Sequence, residues 1–315
     1  MGHADSTICP ARSASVTHLR PAPAGHVIAV TQDTLLETVH FFAGTPAPEV
    51  GYKSAAVNLS DLAAMGAMPA WLNVVVHGEA QATGPERPSR AAWLQAFKQG
   101  FASAAAATPG EIQISVETTT ADALRVTVVA GGHVPQDQAL TRSGVNPGDL
   151  LGVTGTLGDA GAALALAYGD QLEPDNEDHG LLRARLDRPT PRVAAGLALR
   201  GIASAAMDLS DGLGGDIAHL MQSGVGMYID ARRLPLSPAL LRVMGAARAR
   251  ELALGAGDDY ELLVAVPKAS RLAAETAMHG QGLRFTWIGE ATASGSLEIE
   301  GGSGDQAAVG GFTHF

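Results

Sequence analysis

Apolar residues recur at helical spacing between Gly51 and Trp71, where Ala55, Ala56, Leu59, Leu62 and Ala63 make a broad hydrophobic face. A helix is predicted there, stopped at Gly66 and unable to continue at Pro69. One polar stripe crosses it: Ser54, Asn58 and Asp61 are related by steps of four and three residues and point the same way. A carboxylate on so apolar a helix needs a partner, because burying it alone is strongly unfavourable. The expected partner is a cation or a local backbone group, unless other acidic positions converge on it.

The rest of the chain alternates short strands and helices. Residues 27–30 predict a strand ending at Thr31-Gln32-Asp33, and Leu35, Val39 and Phe41, alternating around Glu37 and His40, predict a second. A strand over 71–76 is followed by a Gly- and Pro-rich loop, then by an amphipathic helix over 91–107 carrying Trp93, Leu94, Phe97 and Phe101. Segments 112–116 and 124–130 read as the arms of an edge hairpin around the acidic turn 117–122. Asn146-Pro147-Gly148-Asp149 is the best boundary, giving domains 1–148 and 149–315, with 1–25 a mobile arm or a divergent loop. Beyond it, strands are expected at 150–154, 205–209, 227–230, 261–266 and 285–288. Helices are expected at 162–168, 191–199, 213–221, 238–249 and 269–278, and 169–180 reads as an exposed acidic segment. Both halves therefore predict an α/β (α+β) class with mixed sheets. Leu59-Ser60-Asp61 is echoed by Leu209-Ser210-Asp211, so two similar halves facing each other would enclose a cleft.

Composition narrows the function. With 315 residues, 46% of them hydrophobic and 17% charged, the chain is globular and long enough for two domains. A net charge of −11 with no basic cluster argues against nucleic acid or an anionic membrane as partner. It leaves room for a phosphate ligand bridged to carboxylates by metal ions. The single cysteine, Cys9, excludes an internal disulfide and a cysteine zinc site, and is either a reactive thiol or a passive residue. No apolar run is long enough to span a bilayer, and no basic-then-apolar leader opens the chain. Residues 1–6 fit the loose myristoylation pattern without a second membrane signal, so the expected location is the cytoplasm.

The acidic positions share a context. Asp33 and Glu117 end strands, Asp61 sits on the apolar helix, Asp208 and Asp211 bracket a strand-to-helix turn, and Asp258 and Asp259 precede a strand in a Gly-rich turn. Convergence of these ends would require cations, since close carboxylates repel strongly at low dielectric. An all-oxygen cluster favours Mg²⁺ and suits phosphoryl transfer. Each Asp alone serves equally as a cap or turn residue. Gly155-Thr156-Leu157-Gly158-Asp159-Ala160-Gly161 is either a phosphate cradle or a tight packing turn, and its spacing matches neither common nucleotide-binding pattern. Arg142 is either a forked phosphate clamp or a surface ion pair. His40 is a lone histidine on an alternating strand. No Ser-His-Asp or Cys-His arrangement points to a covalent intermediate.

These residues resemble bacterial thiamine-monophosphate kinases, of the superfamily that includes aminoimidazole ribonucleotide synthetase and selenophosphate synthetase. The resemblance runs through Thr31-Gln32-Asp33-Thr34-Leu35 to His40-Phe41, residues 51–71, Leu140-Thr141-Arg142-Ser143-Gly144, residues 153–159, Met207 to Asp216, residues 257–262 and the terminal Gly311-Phe312-Thr313-His314-Phe315. It implies an N-terminal α/β domain whose sheet pairs across a homodimer, a C-terminal α/β domain, and direct transfer of the ATP γ-phosphate to thiamine phosphate. By position it implies that Asp33, Asp61, Asp208, Asp211 and Thr31 hold Mg²⁺. Glu117 takes the place of a carboxylate that serves metal and ATP. Arg142 and Ser210 would contact ATP, and His40 and Asp258 would contact thiamine phosphate.

The chain also departs from the family. An early Gly-Asp-Asp has no counterpart nearer than Gly2-His3-Ala4-Asp5-Ser6. Gln32 replaces the middle residue of Thr-Thr-Asp, and Val116-Glu117 replaces Gly-Asp of Gly-Gly-Asp-Thr-Thr. Ala307-Ala308-Val309 stands where an aromatic often packs on the substrate ring. The departures keep two rivals in view: another ATP-using ligase or synthetase of the same fold, and a non-catalytic paralogue that binds nucleotide or thiamine phosphates.

Overall fold

The computed structural model describes residues 22–79, 88–169, 171, 173, 176–222 and 224–301. Cys9, the 1–6 segment and residues 307–315 lie outside them.

The first expected strand runs on through Leu36 as β1 (His26–Leu36), and the second does not form: Val39 and His40, expected on it, lie in a turn after β1. The polar Thr31-Gln32-Asp33 lies mid-strand because β4 (Arg125–Pro135) pairs with β1 antiparallel along its whole length. On its other side β4 pairs with β2 (Met68–His77), and β2 carries β3 (Gln113–Thr119) parallel at the edge. The order is therefore β1-β4-β2-β3. The expected hairpin between β3 and β4 does not form, since β2 separates them. Burial explains the swap: β4 alternates buried residues along its length and takes a central place, whereas β3 is mostly exposed at its end and takes the edge.

Helix α1 (Ala47–Ala64) lies on the inward face of this sheet, against β1 and β4. It starts earlier than expected, with a proline in its first turn, and ends near Gly66, whose φ is +62°. Helix α2 (Arg90–Ala106) packs beside it through Phe97 and Phe101. The crossing is close: a Cβ on Gly100 would lie 1.9 Å from the Pro48 carbonyl oxygen.

The second sheet contains β5 (Leu150–Thr154), β6 (Ala205–Asp208), β7 (Gly226–Asp230), β8 (Leu262–Val266), β9 (Phe285–Thr292) and β10 (Leu297–Glu300), in the order β10-β7-β9-β5-β8-β6. Around it lie α3 (Asp159–Tyr168), α4 (Glu177–Asp187), α5 (Val193–Ala198), α6 (Leu213–Asp216), α7 (Pro238–Gly255) and α8 (Arg271–Gly280). Helix α4, which was not expected, begins inside the segment read as acidic and exposed, because Asn176 caps it by accepting from the backbone N–H of Asp178 and His179.

The far side of α1 meets this second half. Gly196 of α5 approaches so closely that a Cβ there would lie 1.9 Å from the Ala63 carbonyl oxygen. Leu59 and Leu62 share one buried core with Ala206, Leu262 and Val264. Helix α1 is thus sandwiched between the sheets, buried on nearly every side, and its polar stripe has to find partners within the protein. Among the described residues no helix is long and apolar enough to cross a membrane.

Candidate active site

The polar residues of α1 reach in two directions. Ser60 donates to Asp208 Oδ2 at 2.7 Å, at the end of β6. Thr31, on the inward face of β1, donates to Asp61 Oδ2. The echoed segments Leu59-Ser60-Asp61 and Leu209-Ser210-Asp211 therefore meet. Asp33 lies two residues beyond Thr31 on the same face of β1, and its Oδ1 accepts from the Thr34 backbone N–H at 2.6 Å. Asp216 accepts from the Asp211 backbone N–H at 3.0 Å and holds the turn after β6.

This is a crowded acidic site. Burial pushes the Asp61 carboxyl up to about 7; the charges of Asp208 and Asp33 add to the rise, and the Thr31 hydroxyl and Arg142 oppose it. Burial also pushes Asp208 up to about 6, with the Ser60 hydroxyl pulling back and Asp216 pushing further. Asp216 rises to about 6, again chiefly by burial, against the backbone N–H of Asp211. Each carboxyl acts on the next, so the group titrates as a unit.

Two cavities open on either side of the acidic site. One, of about 470 Å³, is lined by Thr31, Asp61, Met65, Arg142, Asp208 and His219 among others. The other, of about 800 Å³, is lined by Asp33, His40, Lys53, Ser210, Asp211 and Asp258, and extends to Phe42 and Tyr168. Arg142 is carried on a loop docked between α1 and β6: Leu140 N–H donates to the Met65 carbonyl at 3.1 Å, and Ala206 N–H to the Thr141 carbonyl at 2.9 Å. His40 Nδ1 accepts from the Leu36 backbone N–H at 3.0 Å, so its ring proton sits on Nε2.

Of the sequence-derived residues, Thr31, Asp61, Asp208 and Arg142 share the smaller cavity, and Asp33, Ser210, Asp211, His40 and Asp258 the larger. Glu117 joins neither. It pairs with Val75, Val75 with Thr127, and Thr127 with Thr34, so it lies on the outer face of the sheet. That face is opposite Asp33, and Glu117 stands roughly 14 Å sideways, three strand spacings away. Within one chain it cannot reach the acidic cluster. The turn 155–161 is a packing turn: Gly158 N–H donates to both Asp259 carboxylate oxygens, at 2.9 and 3.0 Å.

Two residues escaped the sequence analysis. Asp216 stands five residues after Asp211 and looks like an ordinary first-turn acid. Lys53 is only 3% exposed, with Nζ 3.1 Å from both Asp258 Oδ1 and the His40 carbonyl oxygen. Lysines on helices usually point to solvent; the available signal was a single cation within a run of small, buried residues.

Fold and site together define a class. The chain matches the AIR synthase related protein, N-terminal domain, over residues 12–146 and the AIR synthase related protein, C-terminal domain, over residues 146–302. It is 41% identical to the thiamine-monophosphate kinase of Salmonella typhimurium over 281 residues, which is 89% of this chain and 82% of that protein. The crystal structure of thiamine-monophosphate kinase from Stenotrophomonas maltophilia is 39% identical and superposes with a TM-score of 0.83, covering 91% of this chain and 89% of that one. AaThiL complexed with AMPPCP and TMP is 28% identical, with a TM-score of 0.79 over 93% of this chain and 89% of that chain. The chain belongs to the thiamine-monophosphate kinase family.

Proposed function

We propose that this protein transfers the γ-phosphoryl group of ATP directly to thiamine phosphate, giving thiamine diphosphate and ADP. The observation that carries the proposal is the pair of cavities meeting at one acidic site. The named activity of the relatives supports it, as does the AaThiL complex with AMPPCP, a nucleotide analogue, and TMP. ATP is assigned to the smaller cavity, where the Arg142 guanidinium can fork onto phosphate oxygens. Thiamine phosphate is assigned to the larger, lined by His40, whose ring proton is on Nε2, and by Asp258. Ser210, expected to contact ATP, lines the larger cavity and not the one assigned to ATP. No residue is required as a covalent carrier.

The donor set fits Mg²⁺: carboxylates and a hydroxyl, all hard oxygen ligands, with the Asp61 and Asp208 carboxyls raised chiefly by burial. Asp33, Asp61, Asp208, Asp211 and Thr31 would hold it. Among the described residues no group of three His, Cys, Asp or Glu side chains is placed to hold a metal ion, so the ion would need water and phosphate oxygens to complete its shell. When bound, it neutralises the phosphates that the acidic site would otherwise repel.

The sign of the pH dependence follows. Asp61 and Asp208 are raised to about 7 and about 6 from 3.8, so the folded metal-free protein holds more protons than the unfolded chain. Their contribution to stability is full below 3.8 and is lost as pH rises through about 6 to 7. Mg²⁺ must displace those protons. Its thermal stabilisation of the protein should therefore be small near about pH 5.5 and grow toward about pH 8. A Mg²⁺-induced rise in Tm that is equal at both would contradict the assignment.

The same proposal divides the chain into domains 1–148 and 149–315. Every strand of the first sheet precedes residue 136 and every strand of the second follows residue 149. It also includes a homodimer formed on the outer face of the first sheet, where Ile28 and Val30 are 49% and 56% exposed. The expected location, where ATP is available, is the cytoplasm. Incubation with ATP, Mg²⁺ and thiamine phosphate, followed by chromatography, tests the activity. Thiamine diphosphate formed in step with ADP is the expected result. ADP without it would favour another acceptor, and binding without turnover would favour the non-catalytic paralogue.

A further inference from the structure

We propose that Lys53 is a positioning residue for the acceptor: it ties the two residues assigned to thiamine phosphate, His40 and Asp258, into one rigid wall. The inference rests on the kinase reading above. Three separate segments meet at this ammonium group. Lys53 comes from α1, His40 from the loop after β1, and Asp258 from the loop before β8. The ammonium donates to the His40 carbonyl at 3.1 Å and forms an ion pair with Asp258 Oδ1, also at 3.1 Å.

The Asp258 loop needs such a tie. Asp258 and Tyr260 adopt φ of +67° and +50°, left-handed backbone that non-glycine residues rarely hold without support. Backbone hydrogen bonds secure one side, Asp258 N–H to the Ser210 carbonyl at 2.8 Å and Tyr260 N–H to the Leu209 carbonyl at 2.7 Å. On the side-chain face the Asp258 carboxylate is held by Lys53 and the Tyr260 hydroxyl. The Lys53 side chain is 4% exposed and that of Asp258 28%, so the tie is made deep in the wall while the carboxylate still borders the cavity. Loss of the ammonium would leave a carboxylate without its cation beside Asp33 and Asp211, which line the same cavity. Asp258 would turn away from Asp33 toward water, and the His40 loop would lose its tie to α1. The Arg142 cavity shares no residue with this junction, so nucleotide binding should be spared.

The test is steady-state kinetics of Lys53→Met, with Asp258→Asn and the double variant, using ATP and thiamine phosphate. The KM for thiamine phosphate should rise about tenfold or more in Lys53→Met, while the KM for ATP changes by less than about twofold. Because Lys53 acts through Asp258, the double variant should lose much less than the product of the single losses. Should Lys53→Met fail to fold, Lys53→Gln, one atom shorter and uncharged but with two N–H donors, should show a smaller rise of the same kind. An unchanged KM for thiamine phosphate, a parallel rise in both KM values, or losses that multiply in the double variant would each overturn the assignment. Absence of turnover in the wild-type protein would instead overturn the kinase reading, and this inference with it.

Discussion

Asp61→Asn should lower phosphoryl transfer by about a thousandfold or more, and the variant should unfold no more easily than the wild type in the absence of metal. The two halves of that expectation come from one fact. Asp61 is partly buried, close to Asp208 and Asp33, with its carboxyl raised to about 7. Asn keeps an oxygen to accept the Thr31 hydroxyl and removes the charge that burial and neighbours penalise. Stability is therefore kept or improved, while a hard anionic ligand is lost where Mg²⁺ is assigned. The wild-type Tm should respond to Mg²⁺ at about pH 8 and the variant's much less. Near-normal turnover in a folded Asp61→Asn protein would remove Asp61 from the site.

Glu261→Gln should do the reverse, damaging the fold through a group outside the acidic cluster. Glu261 is fully buried and accepts from Arg192 Nε at 2.6 Å, Arg185 Nη2 at 2.8 Å and Thr154 Oγ1 at 2.7 Å. Burial works to raise its carboxyl, but Arg192, Arg185 and Thr154 together hold it below the usual carboxylate range. The neighbouring turn is built around it: a Cβ on Gly155 would lie 2.0 Å from Glu261 Oε1. A neutral amide would leave Arg185 and Arg192 without the anion that balances them. Removing one member of such a buried group costs about 3–5 kcal/mol. A urea midpoint within error of wild type would show that the network contributes little.

Glu261 also marks where the sequence stopped being informative. The Gly155–Gly161 turn was visible as a glycine pattern, and its alternative as a packing turn was visible too. Only the fold shows what it packs on, because Asp259 and Glu261 are about a hundred residues away in the chain. The α1 stripe was legible for the same reason in reverse: three polar residues in an apolar helix break a local period, and period is what sequence displays. Ser60 belongs to no such break, yet it makes the contact that joins the halves at Asp208. β1 was ended too early, at Asp33, because its inward face turns polar where it meets Asp61, so tertiary demand overrode the local pattern. β3 lies at the edge as expected, but β4 was misplaced beside it because adjacency in sequence suggested a hairpin, whereas pairing followed burial. Lys53 was hidden by a sound generalisation, that lysines face solvent, which fails where a carboxylate and a carbonyl wait in the interior.

Glu117 poses the remaining structural question in concrete form. Its carboxylate stands on the outer face with Gln32 and Thr34, not over the acidic cluster. On that face Ile28 and Val30 are exposed, and a second copy is proposed to cover them. Any part Glu117 has in binding nucleotide would therefore depend on the dimer.

The central claim is that the phosphoryl group passes straight from one cavity to the other across the Asp61–Asp208 site, with no covalent stop on the protein. The stereochemical course of transfer tests it most directly. ATP made chiral at the γ-phosphorus with oxygen isotopes would be turned over with thiamine phosphate, and the configuration of the thiamine diphosphate read by phosphorus NMR. A single in-line displacement predicts inversion. Retention would require two displacements and a phosphorylated side chain, and would contradict the account.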